Sequence, residues 1–152
     1  MGNDQLGQFL KTVDKSKFTN KPYIKKLEKP WGYELHFVPE GLPYMGKLLH
    51  IQAGKRLSLQ AHDAKLESWF LLNGQAAVIW ENTNGDLVET KMENEVGYTC
   101  NLGQKHRLMG ITDCGILEVS TPELGNTYRL EDDYARPTET EEMRKDPNRG
   151  WK

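Results

Sequence analysis

Cysteine is scarce: only Cys100 and Cys114 occur in a chain of 152 residues. Two thiols make no disulfide framework, and their spacing matches no Cys-based metal motif, so reduced cysteines are expected. An excess of charge of either sign is also missing. Lys plus Arg number 20 against 22 Asp plus Glu, for a formal charge of −2. Such a balance excludes a basic surface able to hold a phosphate backbone, and nucleic acid is not an expected partner. Long apolar runs are absent too. Stretches such as 69–72 and 76–80 fall far short of the roughly 20 residues of a membrane-crossing helix. The first residues are polar where a secretory signal carries an apolar stretch. These absences predict a soluble cytoplasmic protein with no membrane partner, at the length of one ordinary domain.

What is present is β texture. From Trp31 to Val119 the chain runs in short segments rich in Val, Ile, Leu and aromatics, separated by turn signals such as Asn73-Gly74 and Thr83-Asn84-Gly85. Gly and Asn accept positive φ, so these dipeptides mark tight turns between strands. The pattern predicts strands over 33–38, 46–52, 56–60, 68–72, 75–81, 87–92, 96–100, 107–110 and 115–120. Eight or nine short strands at this spacing imply an all-β sandwich or closed barrel. Before them, Leu6, Phe9, Leu10 and Val13 fall at helical spacing in a polar arm. After them, residues 132–152 are dense in charge with two prolines, which predicts an irregular tail packing loosely or against a partner. The expected domains are an arm (1–28), a barrel (29–136) and a tail (137–152).

Four histidines are few enough to consider one by one. In Leu57-Ser58-Leu59-Gln60-Ala61-His62 the polar residues alternate with leucines, so Gln60 and His62 share a strand face. Glu67 follows five residues later, where a turn could return its carboxylate to the imidazole, and His106 follows the turn-like Asn101-Leu102-Gly103. Two imidazoles, a carboxylate and an amide oxygen form an N/O donor set that suits Zn, Fe, Mn or Ni with positions left open. Taken singly, a His or Glu on a strand more often faces water or makes a structural hydrogen bond. His36 and His50 lie outside this constellation and are expected to be structural or exposed.

Gly54 through Gly74 resembles the first cupin motif, and Gly97 through His106 to Gly110 resembles the second. The likeness extends to the cupin of type II mannose-6-phosphate isomerases and of the C-terminal domain of bifunctional GDP-mannose pyrophosphorylases. It is carried by Lys29-Pro30-Trp31-Gly32-Tyr33-Glu34, Leu57-Ser58-Leu59-Gln60, Gly103-Gln104-Lys105-His106-Arg107-Leu108 and the closing Arg129-Leu130-Glu131-Asp132-Asp133-Tyr134-Ala135-Arg136. This resemblance implies a single jelly-roll barrel, a homodimer, and a divalent metal held by Gln60, His62, Glu67 and His106. Zn is the expected ion, because Gln60 and His62 resemble the Gln-x-His pair of the zinc isomerases. The sequence departs from the pattern at Asp63-Ala64-Lys65, where the family carries His and Arg, at Ser68 in place of His, and at Asn101 in place of Pro.

The implied chemistry acts on a phosphorylated or nucleotide-linked sugar as small-molecule substrate, by aldose–ketose isomerisation or a related epimerisation. The metal would polarise the open-chain carbonyl while a base takes the neighbouring proton. Glu67, Lys65 and Lys105 are the candidate bases, and Arg129 and Arg136 would hold the anionic group. Tyr98 is a candidate for stacking on the sugar face, although such aromatics more often belong to the core. Two alternatives stand beside the isomerase. Two His and a carboxylate also suit an Fe(II) oxygenase or lyase, and the departure at 63–65 suits a non-catalytic sugar-binding or regulatory cupin.

Overall fold

A computed structural model describes residues 2–151. Met1 and Lys152, the ends of the expected arm and tail, lie outside the described residues. The arm is a helix, α1 (Gly2–Thr12), whose Leu6, Phe9 and Leu10 are turned to solvent. Eleven strands follow: β1 (Lys25–Lys29), β2 (Gly32–His36), β3 (Met45–Ile51), β4 (Leu59–His62), β5 (Glu67–Asn73), β6 (Ala76–Glu81), β7 (Leu87–Lys91), β8 (Gly97–Cys100), β9 (His106–Gly110), β10 (Cys114–Ser120) and β11 (Thr127–Glu131). They form a six-stranded sheet, β1-β2-β3-β10-β5-β8, and a five-stranded sheet, β11-β4-β9-β6-β7, with antiparallel pairing throughout.

The expected strands are present with ends moved by a few residues, and β4 starts later than the pattern suggests. Two strands were not anticipated. Lys25–Lys29 and Thr127–Glu131 are rich in charge and lack a clear apolar alternation, so the first reads as arm and the second as barrel chain without a strand of its own. β1 joins the sheet as an edge strand beside β2, so the barrel begins before residue 29.

Apolar residues fill one half of the interior. Trp31, Leu49, Ile51, Trp69, Leu71, Val78, Leu108 and Ile116 pack there with Tyr98, Cys100 and Cys114. At the tight turn that carries the chain from β5 in one sheet to β6 in the other, Gly74 has φ +75°, and a side chain there would collide with the backbone of Asp113 and Cys114.

Charge fills the other half. The inward positions of β3 run Lys47, Leu49, Ile51 and those of β10 run Ile116, Glu118, Ser120, so each strand passes from apolar to polar along one face. On β2 the inward residues are Glu34 and His36. Pairing places Lys47 opposite His36 on one side and Glu118 on the other. Buried charges of opposite sign are thereby neighbours, which is what makes their burial tolerable.

Candidate metal centre

Both sheets contribute to one point in the barrel. His62 ends β4 and His106 begins β9 in the five-stranded sheet, while Glu67 begins β5 in the facing sheet. Gln60 lies directly opposite His106 in the β4–β9 pairing. A local turn fixes the meeting: Gly103 has φ +72°, and its amide donates to the carbonyl of His62 at 2.8 Å. Asp63 anchors the other side by accepting from the backbone and side-chain nitrogens of Asn126, at 2.7 and 2.9 Å.

Glu67 Oε1 is 3.1 Å from His62 Nε2 and 2.7 Å from His106 Nε2. The three donor atoms lie within 4.8 Å of one another, and all three residues are buried. His106 Nδ1 donates to the carbonyl of Gln104 at 2.9 Å, with Cys100 Sγ 3.2 Å away. His62 Nδ1 lies 3.1 Å from Thr127 Oγ1. The Nδ1 contacts fix both rings with Nε2 facing inward, so that loss of the Nε2 protons would present two lone pairs to a metal, the arrangement seen around ligating histidines. The second carboxylate oxygen, Glu67 Oε2, is buried and accepts no hydrogen bond. It has only the ammonium of Lys65 beside it, an ion pair at 2.9 Å. A converging donor set with an under-partnered carboxylate fits a divalent cation.

Protonation follows from this crowding. Burial works against charge on Glu67, but Lys65 and the hydrogen bonds to His106 and His62 outweigh it and hold the carboxyl well below the usual range. Burial likewise opposes a charge on His106, yet its contacts with Cys100 and Glu67 raise its pKa to about 10. On His62 burial prevails and the pKa falls. Without metal, the triad is a carboxylate with one imidazolium and one neutral imidazole.

Gln60 lines the same space but presents its amide nitrogen, with Nε2 3.4 Å from His62 Nε2 and 3.5 Å from His106 Nε2. Its oxygen is engaged by the buried Ser58 hydroxyl at 2.8 Å. Turning the amide over would direct the oxygen at the triad and leave Ser58 to accept instead.

Beside the triad is a cavity of about 50 Å³ with a charged wall. Lys29, Lys47, Lys65, Arg129, Arg136 and Arg149 line it together with Glu34, Glu118, Glu123 and Glu139. Lys47 Nζ binds Glu123 at 2.6 Å, and the Arg136 guanidinium grips Asp132 with two donors. Arg129 donates to Glu139 at 3.3 Å, while its buried Nε has no partner.

Of the other expected site residues, Lys65, Arg129 and Arg136 are on the cavity wall. Lys105 is not. It is half exposed and paired with Glu81, away from the cavity, because its side chain leaves β9's lead-in on the outer face. Tyr98 is not on the wall either. It packs in the apolar core against Trp80, and its hydroxyl accepts from the amide of Glu93 at 2.7 Å. His36 is buried against Glu34 at 2.7 Å, and His50 stacks on Tyr33. The tail does not pack loosely: Glu139 and Arg149 are buried in the barrel's own interior. Sequence reasoning missed Ser58, Glu34, Lys47, Glu118 and Arg149. For the strand residues a signal existed, since each sits in phase with inward apolar neighbours.

The residues matched in other proteins cover this site. A model of the mannose-6-phosphate isomerase C-terminal family matches residues 16–139. The chain belongs to that family. Xanthan biosynthesis protein XanB of Xanthomonas campestris pv. campestris (strain B100) is 31% identical over 133 residues, covering 86% of this chain and 26% of XanB. Mannose-1-phosphate guanylyltransferase 2 of Escherichia coli O157:H7 is 33% identical over 121 residues, 77% of this chain and 23% of that enzyme. The family domain thus spans about a quarter of the length of these curated relatives.

Solved structures agree on the fold. Oxalate decarboxylase of Bacillus subtilis, described for its Mn(II) centres, superposes with a TM-score of 0.61 at 13% identity, covering 75% of this chain and 33% of that one. The capsular polysaccharide assembling protein CapF of Staphylococcus aureus gives 0.55 at 13% identity, with coverages of 91% and 37%. Both are cupins, and this family member is a cupin barrel. Among its described residues no helix is long and apolar enough to cross a membrane.

Proposed function

We propose that this cupin binds a divalent metal through His62, Glu67, His106 and the turned amide of Gln60, and uses it on an anionic sugar. Aldose–ketose isomerisation of the mannose 6-phosphate type is the reaction the site suits best. The observation that carries this is the placement of a two-His, one-carboxylate triad on a wall with six cationic side chains against four carboxylates.

When bound, the metal would supply Lewis acidity to the sugar carbonyl. Arg129, with a free buried Nε, and Arg136 offer guanidinium donors suited to a phosphate. Lys65 is not a base in this reading. Burial would lower its pKa, but Glu118 and Glu67 outweigh burial and keep it charged. It serves as a fixed cation that orients Glu67 and supports negative charge developing on the substrate. Glu67 faces the histidines and is committed to the metal. The proton alpha to the carbonyl then falls to a wall carboxylate, and Glu118, joined to Glu67 through Lys65, is the candidate.

Two measurements test this. Elemental analysis should find about one divalent ion per chain, lost in Glu67→Ala and His106→Ala. The metal-loaded protein should interconvert mannose 6-phosphate and fructose 6-phosphate, with solvent deuterium entering at C2. A loaded protein that leaves a panel of phosphorylated and nucleotide-linked sugars unchanged would sink the isomerase reading.

One observation favours a second reading, a binding or regulatory cupin. A cavity of about 50 Å³ holds a water or two, at a share of about 30 Å³ each, and not a hexose. Tight binding of a sugar phosphate without turnover would select it. The oxygenase or lyase alternative draws only on the donor set, since two His and a carboxylate also suit Fe(II), and iron-dependent oxygen uptake is its test.

A further inference from the structure

Residues 140–151 lie beyond the family match, which ends at 139, yet through Arg149 they reach the wall of the inner cavity. Two short 3₁₀ turns, Met143–Lys145 and Arg149–Trp151, carry Arg144 and Arg149 inward. Arg149 is 7% exposed. It donates to Glu139 at 2.8 Å and to Glu123 at 3.3 Å. Arg144 donates to the same Glu139 oxygen at 3.0 Å and, through its other nitrogen, to Thr127 Oγ1 at 3.3 Å. That hydroxyl is the one beside His62 Nδ1. A hydrogen-bonded path therefore joins this segment to the metal triad.

Arg149 and Glu123 each line two spaces. One is the inner cavity, and the other is an outer groove of about 620 Å³ whose wall includes Leu42, Tyr44 and Leu124. The groove has the size of an ordinary small-molecule site, roughly 300–1,000 Å³, whereas the cavity is too small for a hexose. A sugar-sized ligand fits beside the triad only if part of the wall moves to enlarge this cavity. β-strands locked in ladders cannot supply that movement. None of the buried apolar core of the described residues comes from 140–150, and ion pairs and hydrogen bonds hold this segment in place. It is the part of the wall with least to lose by lifting.

Chemistry at the partition indicates what would take its place. Glu139 is a single carboxylate ringed by Arg129, Arg144 and Arg149, an environment equally suited to the anionic group of a ligand.

We propose that residues 140–151 form a lid over the metal pocket and that Arg149 is the group with which the lid recognises an anionic sugar. The choice of ligand rests on the function proposed above; the lid itself does not. Lifting joins groove to cavity, and closing returns the guanidinium to the ligand's phosphate in place of Glu123 and Glu139. Gly150 permits the closed position, because a side chain there would collide with the carbonyl oxygen of Glu28 on β1.

The test uses the full chain, loaded with zinc, as wild type, Arg149→Ala, Arg149→Lys and Gly150→Val. Calorimetry with mannose 6-phosphate should show binding weakened about tenfold or more in Arg149→Ala, the scale of a lost charge-assisted hydrogen bond, and partly restored in Arg149→Lys. Binding of uncharged mannose should not change. Trypsin should cut after Lys145 and Arg149 faster in Gly150→Val than in wild type, and mannose 6-phosphate should slow cutting after Lys145 in wild type. Equal affinity of wild type and Arg149→Ala for mannose 6-phosphate overturns the role of Arg149 while leaving the function intact. If wild type binds neither mannose 6-phosphate nor fructose 6-phosphate, the anionic-sugar reading falls and the role of Arg149 falls with it. The lid is then judged by trypsin alone, and equal cutting of wild type and Gly150→Val overturns it.

Discussion

Lys65 Nζ lies 2.9 Å from Glu67 Oε2 and 3.3 Å from Glu118 Oε2, tying the metal-facing carboxylate of β5 to a carboxylate of β10. All three groups are buried. One ammonium therefore bridges two carboxylates that water does not reach, with Lys47 as a second cation on Glu118 at 3.5 Å. Lys65 stands where related sequences are expected to carry His and Arg, and keeps a positive charge at the departure.

Replacing it exposes that dependence. Lys65→Met removes the cation but keeps most of the side-chain volume, leaving Glu67 to the two histidines and Glu118 to Lys47 and the Trp69 indole. The expected loss is about 3–5 kcal/mol, the usual cost of breaking a buried pair. Urea unfolding of the metal-free protein measures it, and a loss under about 1 kcal/mol would show that water or neighbouring lysines take over.

Gln60 is the fourth proposed ligand and the one whose oxygen is turned away. Gln60→Ala should retain metal with affinity reduced about 10- to 100-fold, the range for groups that support a metal site. Ser58→Ala frees the amide to turn and should cost less. Competition with a chelator of known affinity ranks the two; a loss in Gln60→Ala as complete as in His106→Ala would make Gln60 an equal ligand.

Metal uptake should release protons. In the metal-free protein the pKa of His106 is raised to about 10, so at neutral pH the imidazole is charged and must lose its proton to ligate. Affinity should then rise with pH by about tenfold per unit below that value, with about one proton released per ion. Titration calorimetry in buffers of different ionisation enthalpy counts the protons, and a count of zero would exclude an imidazolium in the triad.

Acid should loosen the C-terminal segment. For Glu139, burial raises the carboxyl pKa, but Arg149 and Lys29 outweigh it and hold it below the usual value. Glu123 is held down in the same way, by Lys47 and Lys65 against burial. A depressed folded pKa stabilises the fold fully above the ordinary glutamate value, about 4.3, and that stability is lost as pH falls through the lower folded value. Hydrogen exchange of residues 140–150 should therefore accelerate below about pH 4, ahead of the barrel strands. Glu139→Gln should weaken the segment at neutral pH and flatten this acid response.

Self-association is the remaining expectation. α1 carries Leu6, Phe9 and Leu10 exposed, and β1, the next strand in the chain, is an edge strand paired only with β2 in the sheet. A homodimer through this region would cover both. Sedimentation should report a dimer, shifted to monomer on removal of residues 1–13; a wild-type monomer refutes it.

Much of the barrel was legible because alternation and turn chemistry agree. Val78 and Leu108 mark inward strand faces, and Asn73-Gly74 marks the tight turn between β5 and β6. β1 and β11 were not legible, since an edge strand made of Lys25-Lys26-Leu27-Glu28-Lys29 reads as a solvated arm until its partner is known. Lys105 was a candidate base and Tyr98 a candidate for stacking on the sugar, and the fold turned one outward to Glu81 and the other into the core.

By itself the sequence determined the all-β class, the order of the strands, and the one face of β4 shared by Gln60 and His62, because these depend on periodicity and local turn preferences. The convergence of Glu67 with His62 and His106, the pairing of Lys65 with two carboxylates, and the return of Arg149 to the cavity wall were decided only by tertiary structure. The scarcity of histidine and the absence of net charge left no sign of a strongly charged interior. Six cations stay hidden in a nearly neutral sequence because the fold buries them against carboxylates, and which charges meet depends on strand register and chain closure.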